Sequence, residues 1–144
     1  MKNTRVKELM TKKPTFIEPD ATLQEAAELM RDIDCGALPV GDDDTVKGII
    51  TDRDMIIRAV AKGKDMETER VADYMTEKVF FCEEQDTLEQ AADLMREHQV
   101  SRLLVKGQSG EITGYLSFGC IMRRNRNMEE ISHVVEHALG KKAA

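Results

Sequence analysis

Apolar residues recur at helical spacing twice in this chain, in nearly the same order. Leu23, Ala26, Ala27 and Met30 stand at i, i+3, i+4 and i+7, and Leu88, Ala91, Ala92 and Met95 repeat the stripe. Each stripe follows a capping box, Thr22 with Glu25 and Thr87 with Gln90, which marks the start of a helix. The paired Ala residues let each helix approach a sheet closely. Beyond the helices, Ala37–Val40 and Arg102–Lys106 read as strands. Polar hairpins at 41–45 and 107–110 lead into further strands, Val46–Thr51 and Ile112–Ser117. Ahead of the helices, Thr15-Phe16-Ile17 follows Pro14 and reads as extended, with Val79-Phe80-Phe81-Cys82 as its counterpart. A closing helix in the first copy carries Met55-Ile56-Ile57-Arg58-Ala59-Val60 and ends near Gly63.

The two copies keep one register. Val6–Thr11 returns at Val71–Thr76 and Thr22–Arg31 at Thr87–Arg96, at an offset of 65 that becomes 66 once Gly48-Ile49-Ile50-Thr51 meets Gly114-Tyr115-Leu116-Ser117. One residue has been added in the second hairpin. A tandem duplication accounts for this register, and chance does not. Each copy reads β-α-β-β-α, too small to bury a stable core alone. The expected fold is therefore mixed α/β (α+β). Two repeats pack about a pseudo-two-fold axis, with related clefts at the ends of the Gly-x-x-Thr and Gly-x-x-Ser strands. The expected divisions are repeat one at 1–64, a polar linker at 65–70, repeat two at 71–126, and a C-terminal amphipathic helix and tail at 127–144. In that last helix Asn127 is the cap, Glu129 and Glu130 suit the first turn, Ile131, Val134, Val135, Ala138 and Leu139 form the stripe, and Gly140 is the stop.

Composition narrows the function classes. The chain has 144 residues, 41% hydrophobic and 33% charged, with net charge −6. That balance describes a globular protein and argues against broad nucleic-acid binding, which needs clustered Lys and Arg. The apolar runs are too short for a bilayer span, and Met1-Lys2-Asn3-Thr4-Arg5 lacks a signal-peptide core, so a cytoplasmic location is the expectation. Cys35, Cys82 and Cys120 form no C-x-x-C pair and read as reduced thiols. Met10, Met30, Met75 and Met95 occupy repeat-matched positions and read as core.

The chemistry concentrates in Gly48-Ile49-Ile50-Thr51-Asp52-Arg53-Asp54-Met55, a buried strand feeding a capped helix. Such a junction presents free N–H groups and a partial positive charge to an anion. Thr51 could donate to a phosphate oxygen and Asp54 accept from ribose hydroxyls. Taken alone, the segment reads first as a cap, with Thr51 the N-cap and Asp54 its capping-box partner. His133 and His137, with Glu129 a turn earlier, have a spacing that can grip a metal, but no fourth ligand is near in sequence and no metal is expected. Asp42-Asp43-Asp44 reads as a solvated turn, since it lacks the spacing of a calcium loop. Arg123, Arg124 and Arg126 form a basic knot, either a solvated helix end or a contact for phosphate or protein. No Ser-His-Asp order, P-loop or metal triad is present, so catalysis is not expected.

Taken together, the Met-Thr turn, the Thr-Leu-x-x-Ala-Ala-x-x-Met-Arg helix, the Gly36-Ala37-Leu38-Pro39-Val40 strand and the Gly48–Asp54 segment resemble the cystathionine-β-synthase (CBS) domain family, as a tandem pair or Bateman module spanning Val6 to Arg124. The resemblance implies a regulatory module, commonly a homodimer, that binds adenosine compounds such as AMP, ADP, ATP or S-adenosylmethionine and passes a signal to an effector protein. It implies that Thr51 holds phosphate and Asp54 ribose. Val79, Phe80, Phe81, Ser101, Arg102 and Leu103 would line the wall, and Arg53 or Arg102 would be the nearest cation. The second cleft would use Ser117 with Thr15, Phe16, Ile17, Cys35, Gly36 and Ala37. Cys120 stands where the ribose-binding Asp belongs, and a thiol is a poor partner for a diol, so this cleft is expected to be weak or vacant. The alternative is a dimerising or stress-response scaffold that binds no nucleotide.

Overall fold

In the computed structural model, residues 4–125 and 127–139 are described. Residues 1–3 of the N-terminal reading, Arg126 of the basic knot and the Gly140 stop lie outside them. The elements run α1 (Val6–Leu9), β1 (Thr11–Lys12), α2 (Leu23–Ile33), β2 (Ala37–Gly41), β3 (Val46–Thr51) and α3 (Asp52–Asp54). After a second copy of the turn come β4 (Phe81–Glu83), α4 (Leu88–His98), β5 (Arg102–Lys106), β6 (Ile112–Ser117), α5 (Phe118–Arg124) and α6 (Met128–Leu139). This is the mixed α/β class that the periodicity predicts.

Helices α2 and α4 start as their sequences dictate. Thr22 Oγ1 accepts from Glu25 N at 3.1 Å, and Thr87 Oγ1 accepts from Gln90 N at the same distance, 3.1 Å. Both end in a left-handed residue, Asp34 at φ 53° and Gln99 at φ 55°. Thr87→Ala should lower stability by about 1 kcal/mol, read from the urea midpoint at unchanged slope.

The chain divides into two compact units, 15–79 and 1–14 with 80–144. The division does not follow the sequence repeats, because the leading segment of the first copy belongs to the unit built on the second. There Thr11 and Lys12 pair antiparallel with Tyr115 and Gly114, giving a sheet ordered β1-β6-β5-β4. In the other unit Thr76 makes the equivalent bridge to Ile49, at the edge of the β2–β3 hairpin. The glycines of the repeat explain the fit. A Cβ on Gly114 would lie 2.9 Å from Met10 Cγ, and one on Gly48 would lie 2.9 Å from Met75 Sδ and 2.7 Å from Thr76 O. Each glycine thus makes room for the Met-Thr segment, and Met10 is buried.

In the 15–79 unit the core gathers Leu23, Ala26 and Met30 of α2 against Leu38, Val40 and Ile50 of the hairpin, with Ala59 and Val71 closing it. The first extended piece is reduced to one parallel bridge, Ile17 to Val40, with Ile17 N donating to Pro39 O at 3.0 Å. Its counterpart Phe81–Glu83 is a full parallel strand on β5. The polar stretch between the copies is tied to α2, since Leu23 N donates to Glu69 O and Gln24 N to Met66 O. In the other unit Leu88, Ala91, Ala92 and Met95 of α4 and Leu103, Val105 and Leu116 of the sheet are all buried, and α4 lies against β5. Helix α6 docks on α4, and its Ile131 and Val134 are buried. Glu130, an acid of the first turn, is buried too. It accepts from Thr4 Oγ1 at 2.7 Å and from Asn125 Nδ2 at 2.8 Å, which fastens the N-terminal segment to α6.

Candidate functional site

Strand β3 delivers Thr51 to the mouth of α3 with extended backbone (φ −118°, ψ 160°), and the chain turns helical at Asp52. The capping box is formed: Thr51 Oγ1 accepts from Asp54 N at 3.1 Å, and Asp54 Oδ2 accepts from Thr51 N at 3.1 Å. The cap leaves functional groups over. The Thr51 hydroxyl accepts in this bond, so its proton is still available to donate. Asp54 Oδ1 lies 3.9 Å from Arg58 Nε. Arg58 also donates to Tyr74 O at 3.1 Å. Sequence reasoning passed over Arg58, although its i,i+4 spacing from Asp54 is the signal for a helix ion pair. Arg53 is exposed. The helix then widens into a π turn at Met55–Ala59 and tightens to 3₁₀ at Val60–Lys62, ending on Gly63 at φ 69°. The 15–79 unit also has an open groove of about 460 Å³ beside this junction, lined by Met30, Cys35, Gly36, Asp52 and Met55 among others.

The corresponding junction in the other unit is spent differently. Ser117 Oγ accepts from Cys120 N at 3.0 Å and donates to Cys120 Sγ at 3.2 Å. Thr11 Oγ1 lies 3.5 Å from the same sulfur. Burial raises the Cys120 thiol, but hydrogen bonds from Ser117 and Thr11 and the charge of Arg124 outweigh it, and the net shift is downward. The hydroxyl of this copy is therefore committed to a buried sulfur, and no carboxylate stands in the Asp54 position.

The remaining residues singled out from sequence fall as follows. Ala37 lies opposite Thr51, and Arg102 opposite Ser117, each within its own unit. The Gly36 carbonyl accepts from Asp52 N, and the Ser101 carbonyl accepts from Phe118 N. Leu103 and Ile17 are buried, and the Ile17 N–H and C=O are both spent, on Pro39 O and Gly41 N. Thr15, Phe16 and Val79 are half-buried. Phe80 stacks on His98 at 3.9 Å, and Lys106 Nζ sits 4.2 Å over the Phe81 ring. Arg102 Nε donates to Tyr115 Oη at 3.0 Å. Of the basic knot, Arg124 serves structure by donating to Leu9 O and Met10 O at the end of α1. Asp42 Oδ1 accepts from Asp44 N and Thr45 N, closing the hairpin.

His133 and His137 are met by two carboxylates of α4. His133 Nε2 lies 3.0 Å from Glu89 Oε2, and His137 Nδ1 lies 2.6 Å from Asp93 Oδ1. The two Nε2 atoms are 3.0 Å apart. Glu129, the third candidate from sequence, is exposed. Burial, reinforced by Asp86 and Glu83, pushes the Cys82 thiol up to about 12. The stability gained by keeping it neutral is complete below its ordinary value near 9.0 and lost as pH climbs from there towards 12. Stability should fall by about 1.4 kcal/mol per pH unit above 9 on this account, and Cys82→Ala should flatten that slope in urea melts at pH 8 to 11.

The CBS-domain family model matches residues 6–60 and 71–127, which covers most of the chain. The chain belongs to the CBS-domain family. Among its relatives, hypoxic response protein 1 of Mycobacterium tuberculosis is 31% identical over 137 residues, spanning 94% of this CBS chain and 89% of the relative. The CBS domain-containing protein YhcV of Bacillus subtilis is 36% identical over 114 residues, 79% and 80% of the two chains. An uncharacterised conserved protein from Pyrococcus horikoshii superposes with TM-score 0.77 at 29% identity, covering 88% of this chain and 96% of that one. A crystal structure of hypoxic response protein I with two coordinated zinc ions gives TM-score 0.69 at 31% identity, covering 85% and 99%. Among the described residues of this CBS protein, no helix is long and apolar enough to cross a membrane.

Proposed function

We propose that this CBS-domain protein is a non-catalytic regulatory module that binds an adenosine-type ligand, AMP, ADP, ATP or S-adenosylmethionine, at the Thr51–Asp54 strand end. One observation carries the reading. At that junction the capping box leaves the Thr51 hydroxyl proton and one Asp54 oxygen outside it, the latter 3.9 Å from Arg58 Nε, whereas at Ser117 the hydroxyl is consumed by Cys120. A donor for phosphate and an acceptor for a diol thus coexist in one copy only. Arg53, exposed one position before Asp54, supplies the cation, and a charge-assisted contact from it is worth about 1.5–3 kcal/mol. Family membership and a relative named for a hypoxic response support a regulatory role. The test is a thermal-shift panel with AMP, ADP, ATP, NAD and S-adenosylmethionine. A ligand taken up by the folded state alone raises the melting temperature in proportion to the logarithm of its concentration.

A second reading, a dimerising scaffold, rests on the helix after β3. Ile56, Ile57 and Val60 are 56%, 47% and 49% exposed, an apolar face uncovered in the single chain. On this reading Ile57→Glu converts a dimer to a monomer in light scattering and leaves the fold intact.

A further inference from the structure

We propose that Glu89, His133 and His137 form a binding site for a transition-metal dication of the zinc class, with Asp93 as the group that orients it. The proposal stands apart from the adenosine reading, since none of its residues is used there. Two pairs at i,i+4 spacing face each other, Glu89 and Asp93 on α4, His133 and His137 on α6. The tautomer of His137 follows from its partner. Asp93 Oδ1 at 2.6 Å from Nδ1 is an acceptor, so in the neutral ring Nδ1 is the donor and Nε2 offers the lone pair. That lone pair lies 3.0 Å from His133 Nε2 and 3.8 Å from Glu89 Oε1. Glu89 Oε2 is 3.0 Å from His133 Nε2. The His137 lone pair and the Glu89 carboxylate therefore converge on His133 Nε2, and one proton there satisfies only one contact at a time. A cation among them satisfies all three.

The spacing fits such an ion. Tetrahedral ligands at zinc–nitrogen length stand about 3.3 Å apart, and the two imidazole nitrogens are already near that distance. All three ligand atoms lie within 4.8 Å of one another. Two imidazoles and a carboxylate select zinc or its neighbours over calcium and magnesium, which prefer all-oxygen sites. The carboxylate behind His137 is the outer-shell arrangement that raises ligand basicity and holds the ring in place. The side chains are partly exposed (35% for His133, 26% for His137 and 44% for Glu89), so an ion can enter and water can fill the fourth position. Occupancy would pin α6 to α4. The cluster belongs to the second copy alone, because the residues matching Glu89 and Asp93 in α2 are Gln24 and Glu28.

The experiment is titration of the tag-free, chelator-stripped full chain with zinc chloride, followed by calorimetry and by metal analysis after dialysis. One equivalent per chain should bind and raise the melting temperature. His133→Ala and His137→Ala should each weaken binding at least tenfold, and Asp93→Asn by roughly 10- to 100-fold through loss of orientation. The variant with Cys35, Cys82 and Cys120 all changed to Ser should bind as the parent does. Should that variant fold poorly, cobalt(II) on the parent chain decides: visible bands without a near-ultraviolet thiolate charge-transfer band support the site. No uptake at stoichiometric zinc, uptake unchanged in the His133→Ala/His137→Ala double variant, or a thiolate band would overturn it.

Discussion

Asp54→Ala should abolish the adenosine-dependent rise in melting temperature, weakening binding by about 10- to 100-fold. That is the worth of a hydrogen bond to a charged acceptor, about 1.5–3 kcal/mol. The same variant loses half of a capping box, because Asp54 Oδ2 accepts from Thr51 N. An apo stability loss of about 1 kcal/mol accompanies it. Two controls separate the effects. Asp54→Asn keeps an oxygen for the cap and should restore apo stability while recovering only part of the affinity. Ser117→Ala removes the equivalent cap, where Ser117 Oγ accepts from Cys120 N. It should cost about as much stability and leave affinity unchanged. Equal loss of binding in Ser117→Ala would contradict the asymmetry between the copies.

Gly41→Ala should be the most damaging of the small substitutions. Gly41 sits at φ +114° at the bulge of the β2–β3 hairpin, and a Cβ there would collide with Thr45 O. That carbonyl is fixed, because it accepts from Asp42 N in the same turn. Backbone strain and the clash together should cost about 3–5 kcal/mol, or a melting temperature lower by roughly 10 °C. Gly110→Ala is the matched comparison. Its φ is +83°, but nothing lies within 4 Å of the added carbon. It should cost about 1–2 kcal/mol, the left-handed penalty alone. Calorimetry on the two variants checks the ratio.

Elements set by local chemistry were legible in the sequence. Thr22 and Thr87 cap helices because Ser and Thr compete for the first free N–H groups, and no distant residue is needed to see it. Repeat register gave β2, β3, β5 and β6 for the same reason. What depended on distant partners was not legible. Strand β1 is two residues long and exists only because Tyr115 and Gly114 pair with it. The signal was indirect: a glycine in each matching strand, cleared for a methionine from the other copy. Thr15–Ile17 reads as extended, yet a single bridge to Val40 is all that forms there. Glu130 has the position of a surface acid in a helix first turn, but the N-terminal segment covers it. The meeting of Glu89 and Asp93 with His133 and His137 needs two helices to dock, although the spacing within each was plain. At the candidate site, Thr51 and Asp54 carried both of their readings in sequence, and the structure displays the cap, with the second Asp54 oxygen turned to Arg58.

Calorimetric titration of the full chain with the adenosine compound that gives the largest thermal shift tests the central claim most directly. The account predicts saturation at one ligand per chain, lost in Asp54→Ala and kept in Ser117→Ala. Saturation at two per chain, or undiminished binding by Asp54→Ala, would contradict it.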